Sequence, residues 1–271
     1  MPELPEVEVV RKGLQEILEE QPTLLKVELK RKDLRDPIPL QQIETLIGEK
    51  ILRVERRAKY LILWTSKGAM LSHLGMTGTW RVAKVGEELL HDHIYLHFSG
   101  NLRLAYRDPR RFGIFDFIQT PIQQHPRIKV LGPEPLEDTF SGEFLWKSLR
   151  NKSVALKVAI MDQKVVVGVG NIYASEALFA AGIKPTLQSH KLSLVRAQKL
   201  VLEIKKILHQ AIQKGGSSIS DFAQTNGQSG YFQNSFKVYA REGESCLSCG
   251  SPIKAQVLGG RNTFWCPRCQ S

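Results

Sequence analysis

The chain has 271 residues, 42% of them hydrophobic and 24% charged, and its 38 Lys and Arg outnumber 27 Asp and Glu to leave a formal charge of +11. That composition supplies enough apolar material for a packed core and excludes disorder of the whole chain. No apolar run approaches the roughly 18–20 residues of a membrane span. The start, MPELPEVEVV, places Glu3, Glu6 and Glu8 where a secretory leader carries basic residues, which excludes a signal peptide. The expectation is a cytoplasmic protein with no membrane partner, about two domains in length, whose positive balance suits a polyanion. Charge alone leaves an ordinary basic enzyme as an equal alternative.

Taken in chain order, Val7, Val10, Leu14 and Ile17 recur at three- and four-residue steps and predict a helix over 6–20, with Pro5 at its first turn. From 24 to 120 the texture becomes short β-type runs: LLKVELK, KILRVERR, YLILW, HIYLHF, LRLAY and FGIFDFI. Gly, Asp, Asn and Pro separate them, which predicts an antiparallel β-sandwich with the helix packed on it. A stretch rich in Pro and Gln over 121–140 reads as a linker. Helical segments follow near 141–150, 153–161, 171–181 and 192–214, punctuated by Gly168, Gly170 and Gly182. After Gly215-Gly216 a polar run reads as a loop. The expected fold class is α+β multidomain: a β-sandwich over 1–120, the linker, a helical domain over 141–236, and a cysteine-bearing appendage over 237–271. A cleft between the first two domains is the natural place for a ligand.

The four cysteines, Cys246, Cys249, Cys266 and Cys269, all lie near the end, as C-x2-C, 16 residues, C-x2-C. Two close thiolate pairs brought together by a loop complete a tetrahedral shell around one zinc ion. Two disulfides are the alternative, disfavoured in a reducing compartment. Four sulfurs close the site, so the metal is structural. Between the pairs, IKAQVLGGRNTFW alternates on either side of Gly259-Gly260 and predicts a β-hairpin with Arg261 at its tip.

Other segments carry chemistry. Met1 precedes the small Pro2, so its removal leaves a free secondary amine, with a pKa of about 7.7–8.0 for an α-amino group. Such an amine attacks an aldehydic sugar carbon to give an iminium, an electron sink for eliminations. Glu3 and Glu6 are the neighbouring candidate acid/base groups. A plain helix start, with Pro and acids favoured there, explains the same residues. RRAKYL places Lys59 before a strand, SHLGMTG places Met76 in a Gly-flanked loop, and YRDPRRFG places Arg110, Arg111 and Phe112 in a turn opened by Asp108-Pro109. Met and Phe at loop tips suit wedges between bases; a core Met and a packed Phe are the bland alternatives. In GVGNIYAS a Gly-rich turn precedes a helix headed by Asn171, a ready phosphate site.

The ordered set MPELPEVE, RRAKYL, SHLGMTG, DPRRFG, MDQKVVVGVGNIYASEALF and the four-cysteine end with GGR resembles the formamidopyrimidine-DNA glycosylases, bacterial base-excision repair enzymes with a helix–two-turn–helix motif. The resemblance runs from Pro2 to Cys269. It implies a bifunctional glycosylase/AP lyase associated with the nucleoid and acting on duplex DNA that carries 8-oxoguanine, formamidopyrimidines or an abasic site; the sequence shows no coiled coil or obvious hydrophobic partner face, so a monomer is expected. Carried over by motif, Pro2 is the nucleophile and Schiff-base former, Glu3 the general acid/base and Glu6 its support. Lys59 acts in the elimination, and Arg261 binds phosphate and serves the second, δ-elimination step. Met76, Arg110 and Phe112 fill the gap left by the flipped base, with Arg110 facing the orphan cytosine. His91, Lys152 and Asn171 contact DNA, and Lys157 lies near the lesion pocket. The loop around 217–232 closes over the flipped lesion. Endonuclease VIII, the relative that prefers oxidised pyrimidines, usually begins PEGPE, where this chain reads PELPE. A non-catalytic zinc protein that binds damaged or bent DNA is the competing class, and a zinc-ribbon RNA binder a third.

Overall fold

The structure, a computed structural model, describes residues 1–119, 121–217 and 230–271. It comprises two compact units, Met1–Lys129 with Lys214–Tyr231, and Val130–Gln213 with Phe232–Ser271.

In the first unit, α1 (Leu4–Ile17) begins two residues earlier than its periodicity suggests, because Glu3 and Glu6 close a capping box over its first turn. Strands β1 (Leu24–Leu29), β2 (Arg53–Arg57), β3 (Tyr60–Trp64), β4 (Ala69–His73), β5 (Thr79–Val82), β6 (Asp92–Phe98), β7 (Arg103–Arg107) and β8 (Ile114–Ile118) form two antiparallel four-stranded sheets. Their orders are β1-β6-β7-β5 and β2-β3-β4-β8. One apolar core takes side chains from both sheets, such as Leu61, Leu63, Ile94 and Leu104, together with Val7, Val10 and Leu14 of α1. That is the sandwich with a helix packed on it. Strands β4 and β5 and the short α2 (Leu40–Glu44) lie outside the predicted elements. Residues 69–72 of β4 are all buried, so the strand shows no alternation, and β5 is only four residues long.

The second unit contains α3 (Gly142–Leu149), α4 (Leu156–Ile160), α5 (Asn171–Ala181) and α6 (Leu194–Gln213). Ser141 caps α3 by accepting from the peptide N–H of Phe144 at 3.1 Å. Gly182 ends α5 in the left-handed region (φ 71°). Nearly every residue of α5 is buried, whereas α6 buries one face through Ala197, Leu200, Ile204, Leu208 and Ala211. The hairpin β9 (Lys254–Leu258) and β10 (Arg261–Trp265) turns at Gly259-Gly260, both at positive φ (55° and 73°), as the sequence predicts. Among the described residues, no helix is long and apolar enough to cross a membrane.

Candidate active site and nucleic-acid interface

At the head of α1, Pro2, Glu3 and Glu6 are all buried, while Met1 is 48% exposed. The peptide N–H of Glu3 donates to Glu6 Oε2 at 2.9 Å. The other oxygen of Glu6 accepts from Ser217 twice, from its peptide N–H at 2.8 Å and from its hydroxyl at 2.9 Å. Glu6 therefore ties the N-terminus to the start of the segment that follows α6, and it does so with both oxygens occupied. Of the loop around 217–232 expected to close over a lesion, residues 218–229 lie outside the described residues.

Lys59 lies in the two-residue turn of the β2–β3 hairpin, where Arg57 pairs with Tyr60. The preceding Ala58 takes φ 55°, a left-handed conformation uncommon for a residue with a Cβ, and Lys59 is 6% exposed. His73, at the end of β4, accepts from the peptide N–H of Gly75 through Nδ1 at 3.0 Å. Burial, then the charges of Lys59, Arg35 and Arg127, hold its pKa down to about 4, so the imidazole is neutral at physiological pH.

Met76 is half-buried in the loop after β4, and Arg110 and Phe112 are exposed in the turn before β8. The Arg110 guanidinium stacks 5.0 Å from the centre of the Phe112 ring. His91 is half-buried just ahead of β6 and holds φ 73°.

In the second unit, Asn171 occupies the first position of α5 after Gly170, where helical N–H groups lack intrahelical acceptors. Its side-chain oxygen accepts from the ammonium of Lys157. Lys157 is wholly buried, and its Nζ also reaches Thr263 Oγ1 at 2.7 Å and the carbonyl of Asn262 at 3.2 Å. It is thus the tie between α5 and the base of β10. A groove of about 560 Å³ runs along the hairpin tip and the 151–162 segment, lined by Lys152, Asp162, Gly259 and Arg261 among others. Lys152 pairs with Asp162 at 3.3 Å, and Arg261 is exposed.

The four cysteine sulfurs lie within 4.8 Å of one another, with 3.9 Å between Cys246 and Cys269 and 3.4 Å between Cys249 and Cys266. No disulfide joins them. A tetrahedron with Zn–S bonds of about 2.3 Å needs sulfurs about 3.8 Å apart, so the cluster fits one structural zinc ion. Ser248 and Cys269 direct peptide N–H groups at Cys246 and Cys266 sulfurs, each at 3.4 Å, as thiolate ligands favour.

Two residues absent from the sequence reading fix this module to the helices. Glu176 of α5, 4% exposed, accepts from the peptide N–H groups of Lys237, Val238 and Tyr239 at 2.8–3.0 Å. The buried Gln270 accepts from Cys266 N at 2.8 Å and donates to the carbonyl of Ile183 at 2.9 Å. Gln270 adjoins the last cysteine, which is a signal; Glu176, inside an apolar helix, is the other.

A proline-led helix, basic loops on a sandwich, paired helices and a zinc hairpin define a zinc-stapled protein built to handle nucleic acid. Family models match in the same order: the formamidopyrimidine-DNA glycosylase N-terminal domain over residues 1–115, its H2TH domain over 131–223, and the zinc finger found in FPG and IleRS over 243–271. The chain belongs to the formamidopyrimidine-DNA glycosylase family. It is 72% identical over the full length of both chains to the formamidopyrimidine-DNA glycosylase of Bdellovibrio bacteriovorus, and 47% identical to that of Pseudomonas fluorescens, again over both full lengths. Among solved structures it resembles MutM (FPG) from Thermus thermophilus, with a TM-score of 0.90, 36% identity and coverage of 99% and 98% of the two chains. It also resembles the Lactococcus lactis FPG (MutM) in complex with DNA containing Fapy-dG, with a TM-score of 0.90, 34% identity and coverage of 99% and 100% of the two chains.

Proposed function

We propose that this chain is a base-excision repair glycosylase and AP lyase that removes oxidised purines from duplex DNA, using the amine of Pro2 once Met1 is removed. The observation that supports it best is the buried Pro2–Glu3 pair clasped by Glu6, in a chain that belongs to the glycosylase family over its whole length. Relatives of known structure hold DNA with Fapy-dG or carbocyclic 8-oxo-G, which makes ring-opened and 8-oxo purines the substrate class here.

In the proposed sequence the Pro2 nitrogen lone pair forms a bond to C1′ as the glycosidic bond breaks; the base leaves with that bond's electrons and takes up the proton that the nitrogen gives up. Glu3 delivers a proton to the sugar ring oxygen, whose departure from C1′ leaves a secondary-amine iminium. Loss of a C2′ proton then expels the 3′ phosphate, and a second elimination expels the 5′ phosphate. Lys59 serves the proton transfers, and Arg261 the second elimination. Water finally hydrolyses the enzyme–sugar bond, leaving a gap with phosphate at both ends. The target carbon is inaccessible within a stacked duplex, so the base is extruded at a cost of a few kcal/mol. Met76, Arg110 and Phe112 offset that cost by filling the gap. His91, Lys152 and Asn171 hold phosphates without reading sequence. Lys157 supports Asn171 from within the protein. Zinc, when bound, holds the hairpin and takes no part in the chemistry. The same reading places the protein on the bacterial chromosome in the cytoplasm.

Borohydride trapping on a duplex with 8-oxoguanine opposite cytosine tests this. A covalent adduct is expected with the Met1-free protein and none with Pro2→Gly. If no adduct forms with any damaged base or abasic site, the chain only binds DNA.

A further inference from the structure

The carboxylate of Asp108 is fully buried where the DNA-facing segments of the first unit converge. Its Oδ1 accepts from Thr77 Oγ1 at 2.6 Å, and its Oδ2 from the peptide N–H of Gly113 at 2.7 Å. Its own N–H donates to the carbonyl of His91 at 3.0 Å, and its carbonyl accepts from the N–H of Arg111 at 3.2 Å. The same carbonyl lies 3.0 Å from His93 Nε2. Thr77 extends the link, because its hydroxyl oxygen accepts from the N–H of Arg110 at 3.2 Å. Met76 precedes Thr77, and Phe112 precedes Gly113. The carboxylate therefore reaches, through one bond or two, the backbone at or beside Met76, Arg110 and Phe112, while the peptide N–H of the same residue holds His91.

The surroundings leave the loops little freedom. A Cβ on Gly75 would fall 2.3 Å from the Phe112 carbonyl carbon, and one on Gly113 would fall 1.9 Å from Tyr106 Oη. His91 and Arg111 hold φ of 73° and 55°. Non-glycine residues stay in that region only where their surroundings over-determine it. The bonds to a buried carboxylate are charge-assisted and lie in a low-dielectric setting, which makes them the strong members of the network.

We propose that Asp108 is a positioning residue that holds Met76 and Arg110 through Thr77, Phe112 through the Gly113 N–H and His91 through its own N–H as one preformed wedge, and that discrimination of the base opposite the lesion depends on its carboxylate. This rests on the reading of those four residues as DNA contacts. A wedge ordered in advance meets the duplex without the entropy of fixing two loops at the moment of insertion.

Thr77→Val keeps the side-chain shape and deletes the hydroxyl, while Thr77→Ser keeps the hydroxyl. Three rates are measured: single-turnover excision of 8-oxoguanine opposite cytosine, the same opposite adenine, and borohydride trapping on a single-stranded abasic oligonucleotide, which needs no wedge. In Thr77→Val the cytosine-to-adenine ratio is expected to fall about tenfold, the scale of one hydrogen bond to a charged group. Single-strand trapping stays within about twofold, and Thr77→Ser restores the ratio. Asp108→Asn, where it folds, shows the larger loss. An unchanged ratio in folded Thr77→Val, an equal loss in single-strand trapping, or no rescue by Thr77→Ser would overturn the proposal. A wild-type protein that neither excises nor traps would instead refute the glycosylase reading, and the wedge assignment with it.

Discussion

His73 shows how one side chain links stability to the site. Its imidazole titrates near 6.5 in an unfolded chain and near 4 in the fold, because burial and then the cations Lys59, Arg35 and Arg127 disfavour its charged form. Between those values the unfolded state binds the extra proton, so stability is complete above about pH 6.5 and falls as pH drops toward 4. At pH 4.5 the loss from this one group is about 2 kcal/mol, from 1.36 kcal/mol per pKa unit. Denaturant unfolding at pH 7.5 and pH 4.5, on wild type and His73→Asn, isolates it. Asn retains an acceptor for the Gly75 N–H, and the variant is expected to lose about 2 kcal/mol less than wild type on acidification. An equal loss in both would place the acid sensitivity elsewhere, with His125, whose pKa burial also lowers, another group that titrates in this range. The SHLGMTG motif contains His73, yet a sequence draws the eye to Met76 at the loop tip. What makes His73 unusual is its burial and then the company of Lys59, Arg35 and Arg127, an environment assembled by residues distant in sequence, the β3–β4 pairing among them.

At the scale of elements, what could be read early is what local periodicity dictates. Short β-type runs marked β1, β2, β3, β6, β7 and β8, glycines bracketed α5 to the residue, and Gly259-Gly260 marked the hairpin turn. The spacing of the two cysteine pairs favoured the metal site over two disulfides, and the four sulfurs do converge. Pairings between distant residues left no local trace. Thr77 meets Asp108 across 31 positions and Lys157 meets Thr263 across 106, so the wedge hub and the buried lysine tie needed the fold itself. The finger depends on its metal for the same reason. Its own buried cluster is Val238, Ile253 and two of the zinc ligands, Cys246 and Cys266, while Val257 of the hairpin is 66% exposed. So small a core cannot hold a hairpin alone. Cys249→Ser is therefore expected to release zinc, free the hairpin and weaken duplex binding at least about tenfold, given that structural zinc contributes directly to folding. The sandwich should persist, because its core contains no finger residue. Metal analysis, far-UV circular dichroism and a duplex-binding titration check the three parts. Undiminished binding by a zinc-free variant would remove the finger from the interface.

For the whole molecule, the formal charge of +11 overstates the electrostatic grip on DNA. Ion pairs such as Arg56 with Glu8 at 3.0 Å, Arg81 with Asp92 at 2.7 Å, Arg127 with Asp36 at 2.8 Å and Asp116 at 3.2 Å, and Arg53 with Glu55 at 2.7 Å cancel within that sum, and the unbalanced cations count only where they meet phosphate. Only cations that neutralise phosphates release counterions, and each contributes about −0.9 to the slope of log K against log salt. The groups proposed to meet phosphate are few, and Lys152 must first leave Asp162. With Lys152 and Arg261 as the cations assigned to phosphate, the expected slope is about −2, well short of the roughly −10 that full use of the net charge would give. Arg261→Gln should make the slope shallower by about one. Arg53→Gln should leave it unchanged, since that guanidinium is held by Glu55 and stacks 4.9 Å from the Trp64 ring. Titrations of an abasic duplex across a range of salt concentrations distinguish these cases. A slope near −10, or one that Arg53→Gln reduces as much as Arg261→Gln, would mean that affinity comes from the general surface charge and not from the residues assigned to the interface.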